Sequence, residues 1–290
     1  MRDRTPGGRL FDAVNYAILS VVACVCILPF IYVLAVSFTS PEEVARGGLI
    51  LFPREWSLAA YEYIFSTGTL TNSLLITVYV TVVGTLINLI FTTTMAYPLS
   101  RTRLRGRQGV LLGVLITMLF SGGMIPTYFV VSGLGLTNTL WSLMIPSAIS
   151  AFNLIVLKNF FQQIPSEVED SAKIDGCNDV EVFFRIALPL SGPAIATFAL
   201  FYSVDHWNTF FNAVLYLNDS SKWTIQVYLR EIVILAQSNI GDSSRLEEMN
   251  IQPLTIRMAV VVFATLPIML VYPFLQKHFV KGVMLGSVKG

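Results

Sequence analysis

The stretch EDSAKIDGCNDVEVFFRIALPL, residues 169–190, is a polar island between two long apolar runs of the chain. It holds five acidic residues, two basic residues and a single glycine at position 176. Residues 108–157, which precede it, carry no Asp, Glu, Lys or Arg at all. Because charged side chains are costly inside a lipid bilayer, the island is expected outside the membrane and its apolar neighbours within it.

The composition of the whole chain indicates a membrane protein. Hydrophobic residues occupy 54% of the 290 positions and charged residues only 13%, whereas soluble domains carry about 25% charged residues. The mean hydropathy is +0.67, and the net charge of +1 gives no indication of nucleic-acid binding. The three cysteines do not imply a disulfide framework. A polytopic membrane protein is therefore predicted.

Six apolar segments are long enough to cross the hydrocarbon core as helices, which takes about 20 residues. The predicted spans are 13–38, 71–98, 109–131, 139–158, 190–216 and 256–278. The first is longer than the apolar core of a signal peptide, about 7–15 residues, so it is predicted to be an uncleaved span. A closed β-barrel would need short alternating segments, which the sequence lacks, and the predicted class is all-α.

Arginine and lysine residues orient these spans, because short loops rich in them stay in the cytoplasm. They cluster near the N-terminus, in the link RTRLRGR at 101–107 and near the C-terminus. In a six-span topology these stretches share one side, so both termini are predicted to be cytoplasmic. The element 159–189 is then cytoplasmic and the loop 217–255 external, within one transmembrane domain comprising residues 1–290.

Proline, glycine and asparagine divide the island into two short helices. Pro165 and Ser166, followed by acidic residues, are a helix-start signal, and Gly176 is a natural end to the first helix. A second helix is expected from a cap at Asn178 to a stop before Pro189. Such an element is either an ordinary solvated loop or a docking element through which a soluble partner pushes on the spans.

The island resembles the cytoplasmic motif of ABC-importer permeases, in which an EAA triplet is followed by three residues, Gly, nine residues, Ile, one residue and Leu-Pro. Here Asp170-Ser171-Ala172 takes the place of the triplet, and Gly176 follows three residues later. Nine residues then precede Ile186, and Leu188-Pro189 closes the pattern. The departures are Asp for Glu and Ser for Ala in the triplet and Cys177 where Ala is common, so charge sign and small size are kept.

Nearly the whole chain is similar to the maltose-type, carbohydrate-uptake branch of this family. The stretches that carry the similarity are PSEVEDSAKIDG (165–176), HWNTFFNAVLYL (206–217), KWTIQVYLREIV (222–233), the tail GSVKG (286–290) and FSGGMIPTYFVVSGLGLTNTLW (120–141). The resemblance implies the type I ABC importer permease fold, with six transmembrane helices, in the bacterial cell membrane. It also implies carbohydrate import, with oligosaccharides favoured by the similarity to permeases that work with lipoprotein sugar receptors.

The resemblance further implies several partners. Two permeases, here expected to be a heterodimer in the lipid membrane, form the pore, two ATPase subunits bind below, and an extracytoplasmic sugar-binding receptor, expected to be a lipoprotein, delivers substrate above. The sequence has no GxxxxGK[ST] loop, so no cofactor is expected on this chain, which is expected not to be an enzyme, with ATP and Mg held by the ATPase subunits. The residues expected at the ATPase are Glu169, Asp170, Ser171, Ala172, Asp175, Gly176, Gly286 and Lys289.

Polar residues inside the fifth predicted span are candidates for the substrate path. The candidates are Asp205, Trp207, Asn208 and Asn212, because an indole can stack on a sugar ring while carboxylate and amide groups bond hydroxyls. The alternative is that these groups bind the partner permease or fix the helix, since polar groups at membrane depth face protein or water. His206 is expected to be a packed residue rather than a ligand, and no metal cluster is indicated.

Two other classes of membrane protein remain open. A secondary transporter or channel would work without ATP, and such proteins usually show inverted repeats or paired broken helices; no clear internal repeat is detected. A membrane-bound enzyme would need a catalytic cluster, whereas the two histidines, His206 and His278, lie far apart in the sequence. Co-purification with a second permease and an ATPase distinguishes the importer from both.

Overall fold

The computed structural model describes residues 6–66, 68–238 and 253–287, and within these it describes the side chains at 7–234, except 9 and 233, and at 253–270. Apart from an isolated bridge between Thr39 and Trp56, the regular structure in these residues is helical. The main helices are α1 (Pro6–Ser37), α2 (Pro41–Ala45), α3 (Ala59–Ser66), α4 (Thr69–Ser100), α5 (Arg107–Leu119), α6 (Met124–Gly133), α7 (Trp141–Met144), α8 (Ala151–Gln162), α9 (Ser166–Ile174), α10 (Asp179–Leu190), α11 (Gly192–Trp207), α12 (Phe211–Tyr216), α13 (Ile225–Ser238) and α14 (Pro253–Ser287). The predicted all-α class is confirmed.

Among the residues that the structure describes, three helices are by themselves long and apolar enough to cross a membrane, and they fall on the first, second and sixth predicted spans. They are Leu10–Ser37 of α1, Thr69–Ser100 of α4 and Pro253–Leu270 of α14. The apolar side chains along α1 are exposed, from Leu10 at 68% to Phe30 at 61%, as suits a helix surrounded by lipid. The span bounds set from the sequence otherwise remain predictions.

The third and fifth predicted spans coincide with bent pairs of helices. The helices α5 and α6 pass the length and composition test together but meet at 118°, and α10 and α11 meet at 79°. The sequence predicts a loosened helix at Gly122-Gly123 with Pro126, and the break falls there, with Gly123 at φ +85°. Glycine tolerates this left-handed backbone, whereas other residues rarely adopt it. In the fourth predicted span, the short α7 and the longer α8 are separate helices.

The chain divides by contacts into two compact units, Met1–Leu70 with Leu229–Leu266, and Thr71–Tyr228 with Pro267–Gly290. In the first unit, Ala35 and Val36 at the end of α1 form a small core with Ile50 from the following loop, against which Leu254 and Met258 of α14 pack. Val36 has no solvent exposure. These contacts tie the first predicted span to the start of the last one.

Two hydrophobic cores lie within the described part of the second unit. One lies beside the polar island and is built on Tyr97, Phe161, Phe183 and Phe198. The other joins Val80, Val131, Leu143, Tyr216 and Val227. The first core therefore anchors the island to α4, α8 and α11, which is the arrangement that positions the candidate site.

Hydrogen bonds connect two short loops to each other at the predicted external side of this second unit. Asn138, at φ +57°, donates its backbone N–H to the Tyr216 carbonyl at 2.7 Å, and its side-chain oxygen accepts the N–H of Asp219 at 3.1 Å. The Lys222 ammonium donates to the Asn138 carbonyl at 2.9 Å. Hydrogen bonds from the Ser221 hydroxyl and N–H, together with Lys222, lower the pKa of the exposed Asp219 carboxyl.

Candidate functional site

The coupling element, defined here as residues 165–190, is a helix, a glycine turn and a second helix. At the turn Gly176 has φ +90°, and it donates its N–H to the Lys173 carbonyl at 3.0 Å while Cys177 donates to Ala172 at 2.9 Å. This pair of bonds is the Schellman arrangement, which closes a helix end with a left-handed residue. The predicted helix end at Gly176 agrees with this geometry.

A capping box starts the second helix of the coupling element. The Asn178 side-chain oxygen accepts the N–H groups of Val180 and Glu181 at 3.0 and 2.9 Å. In return, Glu181 Oε2 accepts the Asn178 N–H at 2.9 Å. These reciprocal bonds satisfy backbone donors that a helix start otherwise leaves unpaired. The turn between the two helices is therefore rigid on both sides.

The second helix continues two residues further than its sequence predicts. Its expected stop before Pro189 is wrong, because α10 runs to Leu190. A π turn at Phe183–Ala187 lies just ahead of the proline, and the Leu188 N–H bonds the Phe183 carbonyl. Widening the helix in this way accommodates a proline ring that would clash with the carbonyl four residues earlier in a regular α-helix.

Aromatic packing connects the coupling element to the membrane helices. The Phe183 ring lies 5.1 Å from the Tyr97 ring on α4, and Tyr97 lies 5.6 Å from Phe161 on α8. Val182 and Ala187 are fully buried beside them. The exposed turn is therefore joined to α4 and α8 through close-packed buried side chains.

Four of the residues that the sequence assigns to ATPase docking lie on the exposed side of the element: Asp170, Ser171, Asp175 and Gly176. Ala172 is half-buried and packs against the core. The side chain of Ile174 is 87% exposed at the end of α9, and the sequence reasoning missed it. Its place one residue before the acidic end of the helix was the available signal. The exposed surface therefore combines carboxylates with one large apolar side chain.

Glu169 differs from the other predicted docking residues, because it points into the protein. It is only 5% exposed and forms an ion pair with Arg101, whose side chain is 14% exposed. The Tyr97 hydroxyl donates to Glu169 Oε1 at 3.3 Å, and the Arg101 guanidinium lies 4.8 Å from the centre of the Tyr97 ring. The expected contact of Glu169 with a partner is thereby corrected to an internal link between α9 and the arginine-rich stretch.

A second charged cluster lies at the start of α10. The Asp179 carboxylate pairs with Arg103 and with the Lys173 ammonium at 3.0 Å. Asp179 is exposed, so each pair contributes little to stability by itself. Together with the buried pair, these contacts connect the stretch 101–103 to both helices of the coupling element.

The predicted substrate-path residues separate into an exposed set and a buried set. Asp205, Asn208 and Asn212 are exposed, and the helix is interrupted between α11 and α12 where the Asn208 amide donates to the Val204 carbonyl at 2.8 Å. Trp207 is only 7% exposed. The indole is therefore covered by its own chain, which removes the face that stacking on a sugar requires.

His206 is packed inside the second unit, as the sequence favours. Its Nε2 lies 2.6 Å from Asn88 Oδ1 on α4, and the Asn88 amide donates to the Ser147 carbonyl at 2.5 Å. Gly84 on α4 faces the imidazole so closely that an added Cβ would lie 2.5 Å from Nε2. This network fastens α11 to α4 through Asn88, a contact that sequence spacing did not show.

Parts of the predicted site fall where less is described. Gly286 lies near the end of α14, where side-chain surroundings are not described, and Lys289 lies outside the described residues. Residues 239–252, within the loop predicted to be external, lie outside them as well. Within the described part of the chain, no group of His, Cys, Asp and Glu could hold a metal ion.

This arrangement, apolar helices with a polar turn anchored to them, fits the permease component of a transport system. Residues 65–285 match the family of binding-protein-dependent transport system inner membrane components, and the chain belongs to that family. It is therefore an integral protein of the cell membrane. The resemblance to carbohydrate-uptake ABC permeases is confirmed.

The curated relatives include two full-length Bacillus subtilis (strain 168) proteins. The chain is 57% identical over 283 residues to the polygalacturonan/rhamnogalacturonan transport system permease protein YtcP, covering 97% of this chain and 99% of that protein. It is 52% identical over 286 residues to the protein LplC, covering 99% and 97% respectively.

Solved structures show the same fold. A chain of a bacterial ABC transporter involved in the import of the acidic polysaccharide alginate superposes with a TM-score of 0.92 and 31% identity, covering 96% of this chain and 100% of that one. A second chain, from the alginate ABC transporter in complex with alginate pentasaccharide-bound periplasmic protein, has a TM-score of 0.59 and 15% identity, so it supports the fold alone.

Proposed function

We propose that this permease forms half of the translocation path of an ATP-driven importer for acidic plant-type oligosaccharides, such as oligomers of galacturonic acid. The observation that carries the proposal is the 57% identity, over 97% of the chain, to a polygalacturonan/rhamnogalacturonan transport permease. The structural likeness to the alginate transporter supports an acidic polymer as well. This match covers the membrane helices that would form the translocation path as well as the coupling element.

Substrate class is tested by uptake in cells that lack and then regain this gene. Labelled galacturonate oligomers, of two to five residues, are compared with neutral arabinose oligomers of equal length. The proposal expects uptake of the acidic oligomers to depend on the gene, with the neutral oligomers failing to compete. Uptake of neutral oligomers alone would contradict the acidic class while leaving the importer assignment intact.

The partners of this permease are proposed to be a second permease, two ATPase subunits that bind ATP and Mg, and an extracytoplasmic sugar-binding receptor. The family description, a binding-protein-dependent system, supports the receptor. The rigid exposed turn around Gly176 supports a docking protein in the cytoplasm. A tagged chain purified from membranes should retain an ATPase, and an active, stable lone protein would favour an ATP-independent transporter or channel instead.

The ATPase contact is proposed to consist of Asp170, Ser171, Ile174, Asp175 and Gly176, which share the exposed side of the coupling element. Ile174 is the apolar centre of this surface because large apolar side chains in a polar rim are the usual anchors of interfaces. The tail, with Gly286 and Lys289, is proposed as a second contact. Deleting residues 286–290 should lower the coupled ATPase activity, and unchanged activity would exclude that contact.

A further inference from the structure

A groove lies where the second membrane helix meets the coupling element. Its walls are the last two turns of α4, the arginine-rich stretch 101–105 and the start of α10, and its volume is about 530 Å³. All three walls belong to the second compact unit. This feature, called the interfacial groove below, is not used by the docking surface, whose exposed residues lie on α9 and the glycine turn.

The lower wall of the interfacial groove is apolar and uncovered. Val180 and Phe184, both on α10, are 64% and 59% exposed, and Leu104 is 38% exposed. Exposed apolar side chains that form a contiguous surface mark a binding site or contact with membrane. A small soluble anion would leave these side chains in water, whereas a hydrocarbon chain would cover them.

The rim of the groove has more positive than negative charge. The Asp179 carboxylate forms ion pairs with both Arg103 and Lys173, so one negative charge is shared between two positive charges. Arg105 also lines the groove, is exposed and forms no ion pair within the described part of the chain. The rim therefore fits an anionic group, since such a group would balance the two uncompensated cations.

The location of the groove indicates where that anionic group comes from. The helix α4 is apolar and long enough to span the bilayer, and it ends at Ser100, immediately before the three arginines that line the groove. The arginine-rich stretch lies on the cytoplasmic side according to the distribution of basic residues. Headgroups of the cytoplasmic leaflet lie at this level, and basic pockets between membrane helices bind such lipids.

We propose that the interfacial groove binds one phospholipid with an anionic headgroup from the cytoplasmic leaflet. The headgroup phosphate lies between Arg103 and Arg105, and an acyl chain covers Leu104, Val180 and Phe184. The occupied groove braces α10 against the end of α4. Lipid charge thereby influences how firmly the coupling element is held, independently of which sugar the transporter carries.

The experiment is native mass spectrometry of the full-length permease, released from nanodiscs that contain equal amounts of phosphatidylglycerol and phosphatidylcholine. The wild type should retain one phosphatidylglycerol in preference to phosphatidylcholine. Arg105→Gln should weaken that retention about fivefold, the factor expected for one basic side chain at an anionic surface. Phe184→Ala should shorten retention of both lipids. The matched control is Arg185→Gln, because Arg185 is exposed on the same helix but does not line the groove.

Three outcomes would overturn the proposal. Equal retention of phosphatidylglycerol and phosphatidylcholine shows that the groove does not distinguish lipids by headgroup charge. Equal losses for Arg105→Gln and Arg185→Gln show that general surface charge is responsible. Unchanged lipid retention in Arg105→Gln, combined with weaker co-purification of ATPase subunits, assigns the groove to a protein partner instead. Circular dichroism and the elution volume of each variant verify that it is folded.

Discussion

Glu169 and Asp170 are adjacent acidic residues with opposite environments. Asp170 is exposed, whereas Glu169 is 5% exposed and paired with Arg101. On a helix, neighbouring positions point about 100° apart, so one of them faces the core while the other faces solvent. The structure therefore divides one acidic run into a docking residue and a structural residue, with different expected mutant behaviour.

Replacing Glu169 by Gln is predicted to destabilise the permease. Arg101 would lose its counterion while it remains only 14% exposed, and breaking a buried ion pair costs about 3–5 kcal/mol. Thermal unfolding of the purified protein, followed by intrinsic fluorescence, measures the loss. Glu167→Gln, an exposed change on the same helix, is the control and should have little effect.

The double variant Arg101→Met with Glu169→Met distinguishes the loss of the ion pair from the cost of leaving one buried charge without its partner. Because it removes both charges, it should recover much of the stability that either single change loses. If the loss of stability in the double variant equals the sum of the losses in the two single variants, Arg101 and Glu169 do not interact.

Replacing Gly84 by Ala is predicted to disturb the link between α4 and α11. The new Cβ would lie 2.5 Å from Nε2 of His206, so the imidazole must shift away from Asn88, and overpacking of this kind costs about 1–3 kcal/mol. Thermal unfolding again gives the measurement. The control Gly113→Ala meets nothing within 4 Å and should be tolerated.

The same clash provides a rescue test. Adding His206→Ala to Gly84→Ala removes the ring that the new methyl group meets, so the double variant should be at least as stable as His206→Ala alone. If Gly84→Ala lowers the stability as much in the His206→Ala background as in the wild type, the close approach of the imidazole is not the reason that a glycine is needed at position 84.

At the scale of elements, the coupling element is defined by its two ends and its turn. The Schellman bonds at Gly176 and the capping box at Asn178 hold the turn, and the rings of Phe183 and Tyr97 hold its second helix to α4. Local bonds thus shape the turn, while long-range packing connects it to the membrane helices. The two kinds of contact can be tested separately.

Replacing Gly176 by Ala is predicted to weaken ATPase attachment more than it weakens the fold. The position has φ +90° with open space around it, so the cost is conformational, about 1–2 kcal/mol for a residue with a Cβ. Asn tolerates this backbone better, so Gly176→Asn should retain more of the ATPase in a pulldown. Gly192→Ala, at a glycine with ordinary backbone, is the control.

Pulldown yields that are equal for the Ala, Asn and wild-type chains would contradict a docking role for this turn. A large drop in thermal stability, without loss of the ATPase, would assign the glycine to the fold alone. The two measurements together distinguish these results.

At the scale of the whole molecule, the interrupted membrane segments concentrate polar groups away from the coupling element. Asp205, Asn208 and Asn212 are exposed around the break between α11 and α12, whereas Trp207 and His206 are buried nearby. A break in a membrane helix leaves backbone polar groups without their helical partners. Such breaks are tolerated at membrane depth only where protein or water satisfies those groups. The exposed set therefore remains the candidate for sugar contact, and the buried set holds the helices together.

Replacing Asp205 by Asn is predicted to lower transport without unfolding the permease. The Asp205 carboxylate has no hydrogen-bond partner among the described residues, and losing a charged bond to a sugar hydroxyl would weaken affinity about tenfold. Uptake at several substrate concentrations should show a raised KM with an unchanged melting temperature. The comparison is Trp207→Ala, which should lower the melting temperature because it empties a packed site; an unchanged KM for Asp205→Asn would exclude substrate contact.

Several features of this protein were predictable because they depend on local sequence. Hydropathy placed the three long helices, since about 20 apolar residues are needed to cross a bilayer wherever they occur. Gly176 and Asn178 located the turn, because the left-handed backbone and the helix cap are properties of single residues. Gly122-Gly123 likewise located a helix break, although not its angle of 118°.

Only the tertiary structure decided which way the polar side chains point. Glu169 pairs with Arg101, 68 positions earlier in the numbering, and His206 meets Asn88 across 118 positions. Trp207 was a candidate either for sugar contact or for fixing the helix, and its burial at 7% exposure agrees with the second role. The sequence by itself determined apolar helices long enough to cross a membrane and a glycine turn between two short helices, because those properties are local. The permease class rested on the resemblance of the motif at 170–189 to a known family. The roles of individual polar residues follow from distant helices meeting, which no local pattern specifies.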